Sequence, residues 1–202
     1  MKTIQKIIFT SLIAAFLISC DNAEDLEPLT PLEVTLVEDL AAPNDEIDRN
    51  TGEVIQARSF QYFSLELNEL VEENENWDIA FKGTTIRVNS SKNVTAAVVS
   101  GVFEEITEVP ASATFNTDTA NSFAIPTGSG NGWYNYNSAT FTVTPIPGRV
   151  ILVKTAADNY AKIEILSYYR GNPPVEQIDP RTTPSGYYTF QFVLQSNGTS
   201  KF

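Results

Sequence analysis

The feature that most constrains the fold of this chain is an alternation of apolar and polar side chains in several short segments. It is found in WDIAF (77–81), FTV (141–143), AKIEI (161–165) and YYTFQFVL (187–194). A period of two is typical of antiparallel strands with one buried and one solvent-exposed face. No stretch of useful length has a helical period, so the sequence predicts an all-β fold of mainly antiparallel strands.

The alternation also predicts which side chains are buried. The residues expected in the core are Trp77, Phe81, Phe141, Phe190 and Phe192. The residues expected on solvent-exposed faces include Asp78, Lys162 and Glu164. Each segment is therefore interpreted as a half-buried strand.

Turn-forming residues separate these segments, as in Asn50-Thr51-Gly52 and Gly171-Asn172-Pro173-Pro174. The spacing predicts a single domain over residues 32–202, a sandwich or partly closed meander that limits exposed strand edges. Short helical turns are expected near 38–40 and 103–106. The longest irregular connection is expected at 171–186.

The first twenty residues have the features of a lipoprotein signal. Lys2 and Lys6 accompany an apolar stretch, and Leu17-Ile18-Ser19-Cys20 resembles a lipobox, whose cysteine is lipidated and becomes the new N-terminus. The apolar stretch has about 12 residues, fewer than the roughly 20 of a spanning helix, which disfavours an uncleaved membrane anchor. We predict a signal peptide at 1–19, lipidation of Cys20 and an acidic tether at 20–31.

The net charge of the chain limits the classes of partner that it is expected to bind. Without Lys2 and Lys6, 11 basic side chains stand against 25 acidic ones, a net charge of −14. Such a surface repels nucleic acid and anionic lipid. We therefore expect no nucleic-acid partner, and we expect the lipid on Cys20 to hold the protein at its membrane.

The composition removes the commonest catalytic and metal-binding groups. The sequence has no histidine, and its single cysteine and single methionine are Cys20 and Met1. The adjacent carboxylates at 72–73 and 104–105 lie in segments typical of solvated turns. DRNTGEV (48–54) begins like a calcium loop but lacks the later ligands, so a hairpin turn is favoured. We expect no metal site, and an enzyme is the least favoured class.

The stretch GSGNGWYNYNS (128–138) places three glycines beside Trp133, Tyr134 and Tyr136. It is not a dinucleotide fingerprint, because Gly132 comes one position early and a strand is expected to follow. Two interpretations remain open. The aromatic side chains contact a ligand, or the glycines adopt positive φ in a turn while Trp133 and Tyr134 pack on the core. In an extended segment, Tyr134 and Tyr136 would share one side.

Longer blocks carry a family resemblance, which extends from about residue 33 to the C-terminus. NWDIAFKGTTIRVN, IPTGSGNGWYNYN, TPIPGRVILVKTA, YAKIEILSYY and YYTFQFVLQSNGTSKF together resemble the HmuY-like family of Bacteroidetes lipoproteins. The resemblance implies a β-rich, hand-shaped domain at the outer-membrane surface. It also implies capture of haem without catalysis and its transfer to a TonB-dependent receptor. The acidic residues that follow Cys20 are similar to a surface-export signal of such lipoproteins.

The sequence departs from this family at the haem ligands. Characterised haem binders of the family hold iron through histidines or methionines, and neither is present after Met1. No family ligand is therefore carried over. Haem or another porphyrin would have to rely on tyrosinate from Tyr134 or Tyr136, or on stacking against Trp133. The alternative is a family member without haem binding that serves as an accessory or adhesion-type interaction protein.

One modification signal is also present. Asp118-Thr119-Ala120 matches the short O-glycosylation pattern of secreted Bacteroidetes proteins. It predicts Thr119 as the acceptor.

Overall fold

Antiparallel strands organise residues 32–202, the part of the chain that the computed structural model describes. The strands are β1 Thr35–Ala41, β2 Glu46–Ile47, β3 Val54–Gln56, β4 Gln61–Ser64, β5 Glu69–Val71, β6 Ile79–Lys82, β7 Thr85–Val88, β8 Thr95–Ser100, β9 Tyr134–Asn137, β10 Thr142–Pro145, β11 Arg149–Lys154, β12 Tyr160–Tyr169 and β13 Ser185–Gln195. Short 3₁₀ turns occupy Ser90–Lys92, Phe103–Glu105 and Val175–Gln177. The predicted signal peptide, Cys20 and the tether lie outside the described residues.

The strands form two main sheets and two hairpins. One sheet has five strands in the order β1-β13-β12-β11-β8, and the other has four in the order β5-β4-β6-β7. The hairpins are β2–β3 and β9–β10. All of these pairings are antiparallel, which confirms the predicted all-β class. Between residues 32 and 202, no helix is long and apolar enough to cross a membrane.

The main core lies between the two sheets. Phe63 of β4 meets Phe190 of β13 edge to face at 5.5 Å between ring centroids, and Phe81 of β6 stacks on Phe190 at 5.4 Å. Offset and edge-to-face geometries are the favoured arrangements of aromatic rings. Aliphatic side chains of β7, β11 and β12 complete the same cluster. The domain is therefore a sandwich, and the core positions predicted for Phe81, Phe190 and Phe192 are confirmed.

A second apolar cluster covers the other face of the five-stranded sheet. Phe103 and Ile106 pack there against Val150, Leu152 and Val193. This cover contradicts the predicted solvent exposure of one charged side chain, Lys162 of β12, which is buried. Its Nζ donates to the carbonyl oxygens of Phe103 at 2.8 Å and Ile106 at 2.9 Å. Because these bonds replace water, the ammonium group is tolerated in the interior.

The core prediction for Phe141 was wrong. Phe141 is 66% exposed and has a φ of 56°, in the left-handed region that reverses the chain before β10. The reversal breaks the period-two pattern, so the next residue, Thr142, takes the buried side instead. Trp77 is only half-buried, and it packs on Tyr62 with ring centroids 5.0 Å apart.

Two predictions about polar and helical segments were also wrong, and two local predictions are confirmed. Asp78 is buried rather than solvated, because the 65–68 turn after β4 packs over it and the Leu65 N–H donates to its Oδ2. Residues 38–40 belong to β1 and contain a bulge, with Asp39 at positive φ, rather than a helical turn. The turn expected near 103–106 is present, and residues 48–54 form the expected hairpin turn between β2 and β3.

Candidate functional site

The glycine-rich segment 128–138 is a tight loop that leads into the β9–β10 hairpin. Gly128 and Gly130 have φ values of 91° and 82°, which favour glycine. The loop closes on itself, since the Gly130 N–H donates to the Tyr134 carbonyl at 2.9 Å. The Tyr136 N–H donates to Ser129 Oγ at 2.8 Å. At Gly132, a Cβ would overlap the carbonyl oxygen of Pro126.

Trp133 is part of the core rather than of an open ligand surface. Its side chain is 2% exposed, and its indole Nε1 donates to the Thr84 carbonyl at 3.0 Å. Its ring packs against Tyr134, Tyr168 and Tyr188, at centroid distances of 5.0, 5.9 and 5.2 Å. This environment satisfies both the apolar ring and its N–H group. Trp133 is thus not available for stacking on a ligand in this conformation.

The two candidate tyrosines have different environments. Tyr134 is 9% exposed, and its hydroxyl accepts a hydrogen bond from Thr84 Oγ1 at 3.4 Å. Tyr136 is 46% exposed, because the hairpin extends past the core after Tyr134. Of the two interpretations of this loop, packing on the core holds for Trp133 and Tyr134. Tyr136 is the one candidate that the structure leaves accessible.

The buried tyrosines near Trp133 are poor sources of a phenolate. Burial, followed by the influence of Tyr169, raises the pKa of Tyr168 to about 12. Burial also raises the pKa of Tyr188 well above its usual range, and its hydroxyl donates to the Gly83 carbonyl at 2.8 Å. A tyrosine must lose its proton to coordinate ferric haem as tyrosinate. The aromatic cluster is therefore structural.

The predicted glycosylation site combines a buried and an exposed residue. The Asp118 carboxylate accepts hydrogen bonds from the backbone N–H groups of Val88 at 3.1 Å and Ala124 at 2.8 Å, and it pairs with Arg87. Thr119 is exposed, and its hydroxyl contacts Ser122 within the same turn. Through these bonds, Asp118 holds the 118–124 loop against β7. Glycosylation of Thr119 remains a prediction.

The structure also contains a cleft with charged side chains that was not predicted from the sequence. The cleft has a volume of about 350 Å³ and is lined by Trp77, Asp78, Glu66 and Lys92, among others. The available signal was Asp78 itself, a lone carboxylate in the otherwise apolar run of WDIAF. In residues 32–202, no group of three or more acidic, cysteine or histidine side chains is arranged to hold a metal ion.

Three solved protein structures resemble this chain over 67–81% of its length, at 16–18% sequence identity. The apo HmuY analogue of Tannerella forsythia (TFO) is 16% identical over 81% of this chain and 95% of its own, with a TM-score of 0.46. Apo PinO from Porphyromonas gingivitis is 18% identical over 80% of this chain and 97% of its own, with a TM-score of 0.48. A protein from Bacteroides vulgatus, provisionally named HmuY-like and haem-binding, is 16% identical over 67% of this chain and 85% of its own, with a TM-score of 0.45.

A protein-family model matches the central part of the sequence. No curated protein sequence matches the chain. The family model described as HmuY protein matches residues 56–192, which is more than half of the chain and includes both main sheets except β1 and the last three residues of β13. This match confirms the resemblance drawn from the sequence blocks. The chain belongs to the HmuY family.

Proposed function

We propose that this chain is a non-catalytic binding module of the HmuY type, anchored in the outer membrane through lipidated Cys20 and displayed at the cell surface. It presents haem, a related tetrapyrrole or a hydrophobic nutrient to a TonB-dependent receptor. The observation that carries the proposal is the family match over residues 56–192. The absence of histidine from the sequence adds support for binding without catalysis.

The amino-acid composition limits which side chains can hold such a ligand. Histidine is absent, and the only methionine and cysteine lie at positions 1 and 20, so haem iron receives no such ligand from the β domain. The β9–β10 hairpin instead offers two exposed aromatic side chains, Tyr136 and Phe141. Their rings supply apolar contact area, and the Tyr136 oxygen is a ligand type that haem proteins use. Tyr136 is therefore the residue on which the proposal depends most.

Titration with haemin and with iron-free protoporphyrin IX tests this proposal. We expect a saturable change in the Soret band with both ligands, weakened in Tyr136→Ala and retained in Tyr187→Ala, which removes a half-buried tyrosine of β13 outside the hairpin. Tyr136→Phe separates the two contributions of the side chain. A loss of haemin binding alone assigns the phenolic oxygen as an iron ligand, whereas retention of both ligands assigns ring contact.

A second function is favoured by a specific observation. The burial of Trp133 and Tyr134 in the core removes two of the three candidate ligand contacts. A family member without haem binding would act as an accessory or adhesion-type interaction protein. Spectra of haemin and protoporphyrin IX that equal those of the free porphyrins would support this alternative and refute tetrapyrrole binding.

The predicted membrane anchor has its own test. Metabolic labelling with palmitate should mark the wild-type chain and not Cys20→Ala. Incorporation of label into Cys20→Ala would refute lipidation at Cys20.

A further inference from the structure

A cleft of about 350 Å³ opens where turns of the two main sheets meet. Its walls include Leu67 after β4, Trp77 before β6 and Ala156 in the β11–β12 turn. Its charged groups are Glu66, Asp78 and Lys92. The cleft shares no residue with the 128–138 loop, so it is a separate feature from the porphyrin candidate.

Asp78 contributes a buried carboxylate to this cleft. The residue is 5% exposed, and Oδ2 accepts a hydrogen bond from the Leu65 N–H at 2.8 Å. Among the described residues, Oδ1 has no hydrogen-bond partner. In residues 32–202, Arg149 Nε is the one side-chain nitrogen or oxygen that is inaccessible to solvent and also lacks a hydrogen-bond partner. Asp78 Oδ1 therefore keeps some access to solvent, and the cleft is the opening that Asp78 lines.

The charge of Asp78 is not compensated within the domain. The ion pairs of residues 32–202 involve Asp45, Asp118 and Asp158, not Asp78. Burial raises the pKa of the Asp78 carboxyl to about 6, and the charge of Glu66 adds to the rise. Above about pH 6, Asp78 is thus an ionised, largely buried carboxylate, and the Glu66 carboxylate lies beside it. Such a group is stabilised by a cation that fits the space.

The second carboxylate is that of Glu66, and a hydrogen bond holds it in place. The cleft has one cationic side chain, Lys92, whose single charge does not neutralise both acids. Glu66 Oε1 accepts a hydrogen bond from Asn159 Nδ2 at 2.7 Å. Lys92 lies in an exposed 3₁₀ turn and is absent from the ion pairs of the described chain. Two carboxylates and one ammonium leave the cleft with a net charge of −1. One additional positive charge on a ligand would balance it.

We propose that this cleft binds a primary organic ammonium ion that carries an apolar group. The ammonium group donates to Asp78 Oδ1, with Glu66 adding attraction from the rim. The apolar group packs against Trp77, Leu67 and Ala156, where a ring face also favours a neighbouring cation. A divalent metal fits less well, because two carboxylates fall short of the six or more oxygen ligands that hard cations prefer. This site is independent of porphyrin binding, and either can hold without the other.

Benzylammonium is a suitable probe, and benzyl alcohol is its neutral counterpart. We would titrate the full chain in a non-ionic detergent and follow tryptophan fluorescence, with Trp77→Phe to assign the signal to Trp77. We expect saturable binding of benzylammonium and at least about tenfold weaker binding in Asp78→Asn, because a charge-assisted hydrogen bond is lost. Glu176→Gln, an exposed carboxylate-to-amide change outside the cleft, should leave the affinity unchanged.

A second variant tests the same attraction without changing Asp78 itself. Ala156→Arg, in an exposed turn, places a cation in the cleft and should also weaken benzylammonium binding at least about tenfold. Binding should also weaken below about pH 6, as Asp78 becomes protonated and its charge is lost. Equal affinity for benzyl alcohol, unchanged affinity in the Asp78 and Ala156 variants, or no saturable response would overturn the proposal.

Discussion

Asp78→Asn should stabilise the domain in a pH-dependent manner. The pKa of the Asp78 carboxyl is about 6 in the folded protein, against an ordinary value of 3.8. Because the folded state holds this proton more tightly, stability is greatest below the lower pKa and falls as pH rises through the higher one. About two pKa units at 1.36 kcal/mol each give a loss of about 3 kcal/mol by pH 8. Asparagine cannot ionise, and its amide oxygen can still accept the Leu65 N–H.

Urea unfolding of a Cys20→Ser chain, followed by tryptophan fluorescence, measures this difference. Asp78→Asn should gain up to about 3 kcal/mol in the free energy of unfolding at pH 8, relative to its effect at pH 3. The matched control Glu176→Gln should show no such pH dependence, because Glu176 is exposed. An equal effect of Asp78→Asn at both pH values would refute the reasoning from burial.

Other substitutions test the packing. Trp133→Ala should cost about 3–5 kcal/mol in a denaturant melt, because it empties a buried aromatic site and leaves the Thr84 carbonyl without its donor. Asp118→Ala should cost about 3 kcal/mol, since Arg87 and two backbone N–H groups lose their acceptor; a cost below 1 kcal/mol would contradict this. Phe190→Ala should cost about 3–5 kcal/mol, whereas Phe141→Ser should stay within about 0.5 kcal/mol; similar costs would show that the two environments are misassigned.

The strands were predictable because their pattern is local. In Ala161–Ile165 of β12 and Tyr188–Phe192 of β13, every second side chain packs in the main core, and this alternation is visible in the sequence. Turns rich in glycine, asparagine and proline fixed where the strands end, as at Gly171 and Gly198. The all-β class therefore followed from period and spacing, which left a sandwich and a partly closed meander as alternatives.

The exceptions arise from contacts distant in sequence. Lys162 is buried because residues near 103–106 fold across the outer face of β12, and nothing near position 162 indicates that cover. Asp78 is buried by the turn after β4, which closes over it through the Leu65 N–H. In each case, the alternation gave the correct face, but not whether a second layer lies upon it.

The candidate site was only partly predictable for a related reason. The glycines and aromatic residues of 128–138 allowed both a ligand loop and a packed turn, and local sequence does not distinguish them. The choice depends on the Thr84 carbonyl and on Tyr168 and Tyr188, which come from other parts of the chain. Phe141 was misplaced because a single left-handed residue inverts the alternation.

The most direct test of the proposed function is the absorption spectrum of haemin titrated with the protein. We expect a saturable Soret change that Tyr136→Ala weakens and Tyr187→Ala preserves. A haemin spectrum unchanged by the protein would contradict haem capture by this member of the HmuY family.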